Sequence, residues 1–506
     1  MQASDPKKTA THLPQGSSAS PSTDLNGLDG LDGLDGLRPR PSAAAVEATR
    51  RALNGVLKDT QIVTDADALE VYATDWSSAG AFPPDLVVKA ESTSDVVHVL
   101  QIANTHGVPV TPRGLGTGKA GGALPLAGGI VLSLERMSRL IEINPADMVA
   151  VVEPGLITGD LMSAVEDVGL FYPPDPNSFA ICSIGGNVAC NAGGPRALKY
   201  GVTRPYVLGL QVVLPTGERI EVGARTLKHV AGYDLTGLIV GSEGTLGVIT
   251  EITLRLVPKP GAVETALVTF KDTHAASLAI TRVFGAGVLP RTLEFLDHHA
   301  LSAIRAKTPG RFPENAGALL ILETDGPSHE RAFEDLSRAA EVCSDQGALD
   351  VLVAQDEMQR TRIWEPRRVL SMTLTESAPH KISEDIVVPR SAIATFLERV
   401  YALSTDNDVR VATYGHAGDG NLHVNVLFDD AHKQAADRTV AAIMAIAVEL
   451  RGTISGEHGV GLLKRAFMPL EHAPPVLALQ RRLKKTLDPQ DILNPGKILP
   501  LRGVTE

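Results

Sequence analysis

Two histidines on either side of a glycine-rich turn could hold a metal ion. His416 and His423 are seven residues apart in Tyr414-Gly-His-Ala-Gly-Asp-Gly-Asn-Leu-His-Val-Asn425. An odd spacing puts residues on opposite faces of one straight strand, but Ala417-Gly-Asp-Gly420 is a strong turn signal. We therefore predict a hairpin in which the histidines are approximate cross-strand neighbours and Asn425 shares a face with His423.

A carboxylate and a third histidine follow in the segment Ser455-Gly-Glu-His-Gly-Val-Gly461. The flanking glycines leave Glu457 and His458 open to whatever this loop faces. Two imidazoles and one carboxylate form a divalent-metal site with open positions, which suits zinc and also fits manganese or iron. A metal-free polar cluster is the alternative.

Cations that could bind a carboxylate occur in Trp364-Glu-Pro-Arg-Arg368, with Ser371 and Lys381 further along the chain. Arg367 offers a planar fork of donors that matches a carboxylate. Arg368 could take this place if the register differs by one residue. The alternative is a solvated cationic surface.

A glycine loop, Pro112-Arg-Gly-Leu-Gly-Thr-Gly118, is dense in unhindered backbone N–H groups. Such groups form a concavity for anions, so we favour phosphate binding over a purely structural turn. The segment Gly116-Thr-Gly-Lys-Ala-Gly121 also matches the dinucleotide pattern G-x-G-x-x-G. No helix is predicted after it, which disfavours an NAD site of the Rossmann type.

Two further glycine clusters lie at Ser183-Ile-Gly-Gly-Asn-Val-Ala-Cys-Asn-Ala-Gly-Gly194 and Gly241-Ser-Glu-Gly-Thr-Leu-Gly247. Paired glycines beside amide side chains suit a backbone that lies close to a flat heterocycle. Three such clusters indicate one large, extended ligand.

These motifs, together with Asn494-Pro-Gly-Lys497, resemble those of the FAD-linked oxidases of the vanillyl-alcohol oxidase type, which have a PCMH-type FAD-binding domain. The resemblance is strongest to the branch of the glycolate oxidase FAD subunit, D-lactate dehydrogenase and D-2-hydroxyglutarate dehydrogenase. It extends from about residue 50 to 500. It implies FAD held between two α+β subdomains, with a cap domain over the reactive face of the flavin.

The resemblance also assigns cofactor-binding residues. It places one group at the pyrophosphate, a second near the flavin ring and a third near the adenine end or ring. These are Arg113, Gly114, Gly116, Thr117 and Gly118; Ser183, Gly186 and Asn187; and Glu243, Gly244 and Val248, with Asn191 and Asn494 as further cofactor-binding residues. Leu115 stands in the pyrophosphate loop, which has no histidine, so FAD is expected to be noncovalent.

For catalysis, the resemblance implies oxidation of a D-2-hydroxy acid, D-lactate or glycolate above all, with hydride transfer from C2 to flavin N5. His416, His423 and Glu457 would hold the metal and His458 would be the base. The substrate-binding and catalytic group would further contain Arg367, Ser371, Lys381 and Asn425. Relatives carry threonine where this chain has Ser371, which keeps the hydroxyl.

Alternative functions stay open. They are a D-2-hydroxyglutarate dehydrogenase, the flavin subunit of a multi-subunit glycolate oxidase, and a flavin-binding subunit without activity of its own. Because three cysteines without a C-x-x-C pair are too few for an iron–sulfur cluster, electrons would leave to a partner. The acceptor would be a quinone, a cytochrome, an electron-transfer flavoprotein or an iron–sulfur subunit.

The helices and strands expected around these residues indicate an α+β protein. We expect a disordered tail at 1–45, a two-subdomain PCMH-type FAD-binding domain at 46–260 and a ferredoxin-like cap with an antiparallel sheet at 261–452. A C-terminal helical segment at 453–506 would return to complete the site. The boundary at Val257-Pro-Lys-Pro-Gly261 follows a strand with two prolines and a glycine.

Composition limits the class of protein. With 59 acidic against 47 basic residues, the formal charge of the 506-residue chain is −12, which disfavours a nucleic-acid binder. The N-terminus lacks the apolar core of a signal peptide, and no apolar stretch is long enough to span a membrane. We therefore expect a cytoplasmic enzyme, with a homodimer left open.

Overall fold

The computed structural model describes residues 36–77, 79–308 and 311–501. Most of the expected tail, 1–45, lies outside the described residues. Ordered contacts begin before Val46, because Arg38 Nη1 donates to Asp491 O at 2.9 Å and Arg40 Nη2 donates to Asp85 Oδ1 at 3.0 Å.

The first sheet contains the strand that leads into the glycine loop. Its elements are α1 (Ala43–Asn54), β1 (Ile62–Val63), α2 (Ala66–Glu70), β2 (Leu86–Lys89), α3 (Thr93–His106), β3 (Val110–Arg113) and β4 (Ile130–Ser133). The strand order is β1-β2-β4-β3, in which β2, β4 and β3 are parallel. Leu86, Ile130 and Leu132 are fully buried against α3. The glycine loop therefore leaves the carboxyl end of a parallel strand, where α/β sheets bind ligands.

The second sheet is antiparallel and carries the other two glycine clusters. Its elements are β5 (Leu140–Asn144), β6 (Val149–Val152), α4 (Thr158–Glu166), α5 (Ile184–Cys190), α6 (Ala197–Tyr200), β8 (Val207–Val213), β9 (Arg219–Gly223), α7 (Leu235–Ile239) and β10 (Val248–Arg255). The strand order is β5-β6-β10-β8-β9. A small pair, β7 (Leu170–Phe171) and β11 (Val257–Pro258), lies beside it.

The cap begins with a ferredoxin-like unit. Its elements are β12 (Ala262–Phe270), α8 (Thr273–Gly285), β13 (Thr292–Leu296), α9 (His298–Lys307), β14 (Ala318–Gly326), α10 (His329–Asp345) and β15 (Ala348–Val353). In the sheet, the order β15-β12-β14-β13 places the fourth strand beside the first and the third beside the second. This is the split βαβ arrangement.

A second group of elements extends the same antiparallel sheet. It contains α11 (Glu357–Glu376), β16 (His380–Val387), α12 (Ile393–Asp406), β17 (Arg410–His416), β18 (Asn421–Phe428) and α13 (Lys433–Glu449). β17 pairs with β13, and the order continues as β17-β18-β16. Thr453 forms an antiparallel bridge with Val387 at the outer edge of β16.

The C-terminal segment returns to the first sheet through α14 (Met468–Glu471) and α15 (Pro474–Leu487). Leu493 forms a parallel bridge with Val110 at the start of β3. The segment therefore connects the cap to the sheet that carries the glycine loop. None of the helices in the described ranges is long and apolar enough to cross a membrane.

The α+β class and the antiparallel cap are confirmed. The structure also contains the predicted hairpin, as β17 and β18 joined by a turn at 417–420. Within the described residues, no helix lies between Gly114 and Gly129, as expected, although β3 and β4 are parallel neighbours. Helix α11 and strands β13 and β16 were not predicted, and each carries a residue of the site described below.

Candidate active site

A cavity of 1310 Å³ lies between the FAD-domain loops and the cap. Small-molecule pockets usually measure about 300–1,000 Å³, so this cavity has room for a large ligand together with a smaller one. Most of the predicted site residues line it. They are Arg113, Gly114, Gly116, Thr117, Gly118, Ser183, Gly186, Asn187, Glu243, Gly244, Val248, Arg367, Ser371, His423, Glu457 and His458.

The glycine loop at 114–118 presents its backbone to this cavity. The N–H groups of these residues donate no hydrogen bond to any described residue. Buried backbone donors are nearly always paired, so consecutive free N–H groups at a cavity wall indicate an anionic ligand. This observation fits the pyrophosphate of FAD.

Arg113 supports the loop from below. Its Nη1 donates to Thr74 O at 2.9 Å, and its guanidinium lies 5.6 Å from the centre of the Tyr72 ring. Gly116 has φ +69°, and a Cβ there would overlap the Arg113 guanidinium. The arginine thus lines the cavity but uses its guanidinium to hold the loop.

Ser183 and Asn187 position the second glycine cluster. The Ser183 hydroxyl accepts from Gly186 N at 3.3 Å at the start of α5. Asn187 is buried, and its Nδ2 donates to Thr158 Oγ1 at 2.7 Å. A Cβ on Gly114 would collide with Ser183 Oγ, so the first two clusters pack directly against each other.

In the second glycine cluster, Asn191 and Gly193 make structural contacts within the protein rather than contacts suited to a flat ligand. Asn191 does not line the cavity; it ends α5 with φ +53°, and its Oδ1 accepts from Arg204 N at 2.8 Å. Gly193 gives room to the cap, since a Cβ there would lie 3.0 Å from Glu457 Oε2. This second glycine pair therefore allows the metal-site candidate to approach the FAD domain.

Glu243 in the third cluster also differs from expectation. Although it lines the cavity, its buried carboxylate accepts from Val460 N and Gly461 N, both at 2.8 Å. Asn494, which does not line the cavity, donates to Glu243 O at 2.8 Å and to Gly122 O at 2.9 Å. Both residues join the C-terminal segment to the FAD domain.

His416, His423 and Glu457 converge as predicted. One ligand atom from each lies within 4.8 Å of the others. His416 Nε2 is 3.4 Å and His423 Nε2 is 3.6 Å from Glu457 Oε1. The two imidazole rings are 5.2 Å apart, because His423 pairs with Tyr414, one strand repeat before His416. His416 Nε2 has no hydrogen-bond partner among the described residues, so this donor set fits a divalent cation.

Asp385 on β16 fixes the loop that carries Glu457 and His458. Its Oδ2 accepts from the backbone N–H groups of Gly456 at 2.9 Å, Glu457 at 2.9 Å and His458 at 3.0 Å. Its Oδ1 accepts from Asn421 Nδ2 at 2.6 Å. Sequence reasoning missed Asp385, because a carboxylate that binds backbone groups leaves no spacing pattern.

The pKa values of the two histidines in this cluster shift in opposite directions. Burial lowers the pKa of His416, but Glu294 and Glu457 outweigh this and raise it well above its usual value. Burial, together with the His416 and His458 charges, holds the pKa of His423 well below its usual value. Burial raises the pKa of Glu457, but His416 and His458 bring it below its usual value. A carboxylate beside one readily neutral imidazole is suited to bind a cation.

His458 lies beside this cluster. Its Nε2 is 3.8 Å from Glu457 Oε1, and its ring stacks on His423 with centroids 5.4 Å apart. Burial lowers the pKa of His458 below its usual value, although Asp385 and Glu457 oppose this. A cavity-lining imidazole that is neutral at physiological pH can accept a proton.

Ser371 lies between Arg367 and Lys381, of which Lys381 does not line the cavity. Arg367 and Ser371 are four residues apart on one face of α11, and both line the cavity. Lys381 Nζ donates to Ser371 O at 2.9 Å and to Ser371 Oγ at 3.2 Å. Burial, followed by the charge of Lys119, lowers the pKa of Lys381 to about 8.

The two adjacent arginines have different surroundings. Arg367 is buried with its guanidinium 4.7 Å from the centre of the Tyr414 ring, and its Nη2 has no partner among the described residues. Arg368 also lines the cavity but is exposed. Asn425 is fully buried outside the cavity lining; its Nδ2 donates to His423 O at 3.0 Å, and its Oδ1 is free.

Comparison with known proteins identifies the family. The pattern described as "FAD binding domain" matches residues 84–223, and "FAD linked oxidases, C-terminal domain" matches residues 259–498. The chain belongs to the FAD-linked oxidase family, and it is an FAD-linked oxidoreductase.

Its relatives define the type more closely. The chain is 42% identical to glycolate oxidase subunit GlcD of Bacillus subtilis, covering 85% of this chain and 92% of the relative. It is 37% identical to a D-lactate dehydrogenase of Anaerostipes hadrus, covering 83% and 90%. It is 33% identical to a D-2-hydroxyglutarate dehydrogenase of Stutzerimonas stutzeri, covering 88% and 97%.

A solved structure of p-cresol methylhydroxylase with bound substrate shares the fold. The TM-score is 0.76 at 17% sequence identity, covering 92% of this chain and 99% of the other. This structure supports the fold, while the matched domains and the relatives confirm the predicted family and with it the predicted FAD.

Proposed function

We propose that this protein oxidises a D-2-hydroxy acid, D-lactate or glycolate above all, to the 2-oxo acid. The observation that carries the proposal is the convergence of His416, His423 and Glu457 within 4.8 Å, beside His458, at the cavity of the FAD-domain loops. The names of the relatives support the substrate class, because they are glycolate oxidase subunits and dehydrogenases of D-lactate and D-2-hydroxyglutarate.

Two groups supply chemistry that the side chains lack. Noncovalently bound FAD supplies, at N5, the acceptor for the hydride from substrate C2. His416, His423 and Glu457 would hold a divalent ion, zinc in the first place, which would polarise the substrate hydroxyl and lower its pKa.

The side chains of this chain bind the substrate and move its proton. Arg367 Nη2, which has no partner among the described residues, and the Lys381 ammonium bind the carboxylate, with the Ser371 hydroxyl beside them. His458 accepts the hydroxyl proton, because its partly buried imidazole has a pKa below the usual value and is neutral at physiological pH. Asn425, two residues further along the same strand, donates a hydrogen bond to the backbone oxygen of His423.

Electrons leave to an acceptor other than NAD. The relationship to glycolate oxidase subunit GlcD supports a partner subunit as the acceptor, while a quinone, a cytochrome or an electron-transfer flavoprotein remains an alternative. The cysteines of this chain, Cys182, Cys190 and Cys343, are free thiols and too few to hold a cluster.

A 2-hydroxy dicarboxylic acid is the second candidate substrate. Lys119 and Arg368 line the cavity, and within the described part of the chain neither forms a hydrogen bond or an ion pair. Two unpaired cations in addition to Arg367 and Lys381 would suit a second carboxylate, such as that of D-2-hydroxyglutarate.

The decisive experiment is a panel of D- and L-2-hydroxy acids, scored by anaerobic bleaching of the flavin absorbance. We expect bleaching by at least one D-acid and none by its L-enantiomer. Equal rates for D-lactate and D-2-hydroxyglutarate would remove the preference between the two candidates. A flavin that no 2-hydroxy acid reduces would refute the proposal and favour a subunit that binds FAD without this activity.

The metal role has a separate test. Dialysis against a chelator should abolish flavin reduction by the best D-acid while FAD remains bound, and added zinc should restore it. Full activity in a sample shown by elemental analysis to lack divalent metal would reject this role.

A further inference from the structure

Glu294 on β13 contacts two groups that belong to different parts of the proposed site. Its side chain is fully buried. Oε2 accepts from Arg367 Nε at 2.6 Å, and Oε1 is in hydrogen-bond contact with His416 Nδ1. The outward atoms of both partners, Arg367 Nη2 and His416 Nε2, have no partner among the described residues. One acid thus holds the inner atom of each group and leaves the outer atom for a ligand.

The hydrogen-bond chemistry of this contact selects one form of the histidine. An ionised carboxylate can only accept, so His416 Nδ1 must carry a proton to bond with it. With a cation bound in place of the Nε2 proton, Nδ1 carries the only ring proton and the lone pair lies on Nε2, the atom that is 3.4 Å from Glu457 Oε1. A metal-ligating nitrogen needs that lone pair, and carboxylates beside ligating histidines commonly fix it.

We infer that Glu294 is a positioning residue that sets the metal-binding tautomer of His416 while it holds Arg367 toward the substrate carboxylate. The inference rests on the proposed function, from which it takes the two ligands. It adds that one carboxylate supports both binding sites, with one oxygen for each.

Glu294→Gln tests this arrangement, because the amide has the same shape but only one acceptor. Of the two bonds to Arg367 and His416, the bond to Arg367 Nε is the stronger, because the guanidinium is charged. The amide oxygen of the variant therefore stays with Arg367. The amide NH2 group then faces His416 Nδ1, which must accept, so the proton moves to Nε2. We expect the zinc dissociation constant of the FAD-loaded protein, measured against a chromophoric chelator, to rise about 10–100-fold. KM for the best D-acid at saturating zinc should stay within about twofold, since Arg367 keeps its bond.

Arg367→Met should give the opposite pattern. Glu294 then still accepts from His416, so the zinc affinity should stay within about threefold of the parent. KM for the D-acid at saturating zinc should rise at least about tenfold, because a bond to a charged group is lost. Glu323→Gln is the matched control on the same cap sheet. Its carboxylate accepts from Thr265 Oγ1 and Trp364 Nε1 and not from the metal-site residues, so zinc affinity should not change.

The outcomes separate the inference from the proposed function. Zinc binding by Glu294→Gln with parental affinity, at parental FAD content and melting temperature, would overturn the role of Glu294 alone. An equal loss of zinc affinity in Arg367→Met would also overturn it, because it would indicate general disorder of the site. If the parent protein binds neither zinc, manganese nor iron, both the inference and the metal role fail.

Discussion

On the FAD-domain side of the cavity, residues 114–118 present backbone N–H groups, whereas the cap side presents buried charged side chains. The loop needs its glycines, Arg113 from the strand immediately before it, and a hydrogen bond from Trp76 N to Gly116 O at 3.2 Å. The metal-site candidate needs partners from β13, β16, β17, β18 and the loop at 455–461. A backbone site is thus encoded locally, and a side-chain site is encoded by the fold of the whole cap.

The energetic demands differ in the same way. A free backbone N–H at the cavity wall loses one hydrogen bond without its ligand, while an unpaired buried charge costs much more. In the cap, burial raises the pKa of Glu294, but His416 and Arg367 outweigh this and hold it at about 2. We therefore expect single substitutions to have larger effects on the cap side than on the loop side.

His458→Ala should have the largest effect, because it removes the proposed proton acceptor. General-base catalysis typically contributes 10²–10⁴-fold, so flavin reduction by the best D-acid should slow by about that factor. FAD content should not change, since the glycine loops stay intact. The measurement is anaerobic stopped-flow flavin reduction, with the exposed cap variant His329→Ala as control. A parental rate in His458→Ala would exclude this histidine from the mechanism.

Asp385→Asn should weaken the metal site through the loop that it supports. Asparagine can accept from the backbone of 456–458 only by turning its NH2 group toward the Asn421 donor. Supporting residues of this kind contribute about 10–100-fold to metal affinity, and we expect a loss of that size in chelator competition. Glu384→Gln is the control, because its carboxylate lies 3.8 Å from Lys464 Nζ and accepts no hydrogen bond from the described backbone of 456–458. Equal zinc affinities in both variants would show that the loop holds its geometry without Asp385.

Gly116→Ala tests the loop side and should have a smaller effect. Its φ of +69° costs an L-residue about 1–2 kcal/mol, and its Cβ would displace the Arg113 guanidinium. We expect FAD to bind about tenfold more weakly, measured by flavin fluorescence during dilution. At Gly118, φ is not positive and a Cβ meets nothing within 4 Å, so Gly118→Ala should fold as stably as the parent. Unchanged FAD affinity in Gly116→Ala would mean that the loop tolerates rearrangement.

The difference between a locally encoded site and one encoded by long-range contacts also determines which site residues could be predicted from the sequence. Glycine clusters, the turn at 417–420 and the pair at 457–458 are local patterns, and the structure brings most of the residues they indicated to one cavity. The number of glycines alone did not show whether a cluster lines a ligand-binding cavity or leaves space for a neighbouring side chain. Gly193 accommodates Glu457, and Glu243 binds the 460–461 backbone.

The missed residues share a physical cause. Glu294 lies in a short apolar strand, Thr292–Leu296, where a buried acid is understandable only once Arg367 and His416 are known neighbours. Pro366 lies inside α11 and obscured that helix, because proline normally interrupts helices. Long-range partners of this kind have no sequence spacing that could reveal them.

Lys119→Met gives the smallest expected effect and tests contact between the two sides, because Lys119 belongs to the glycine-rich loop. Burial chiefly lowers the pKa of His458, and the positive charge of Lys119 lowers it further. Removing that charge should raise the pKa, so the acid limb of the kcat/KM profile should move to higher pH and activity at low pH should fall. The shift should shrink with added salt, since screening weakens the interaction. Arg368→Met is the control, because it removes another positive charge from the cavity lining at an exposed residue, where solvent screening is stronger. An acid limb that stays in place at low ionic strength would mean that the loop and the base are electrostatically independent.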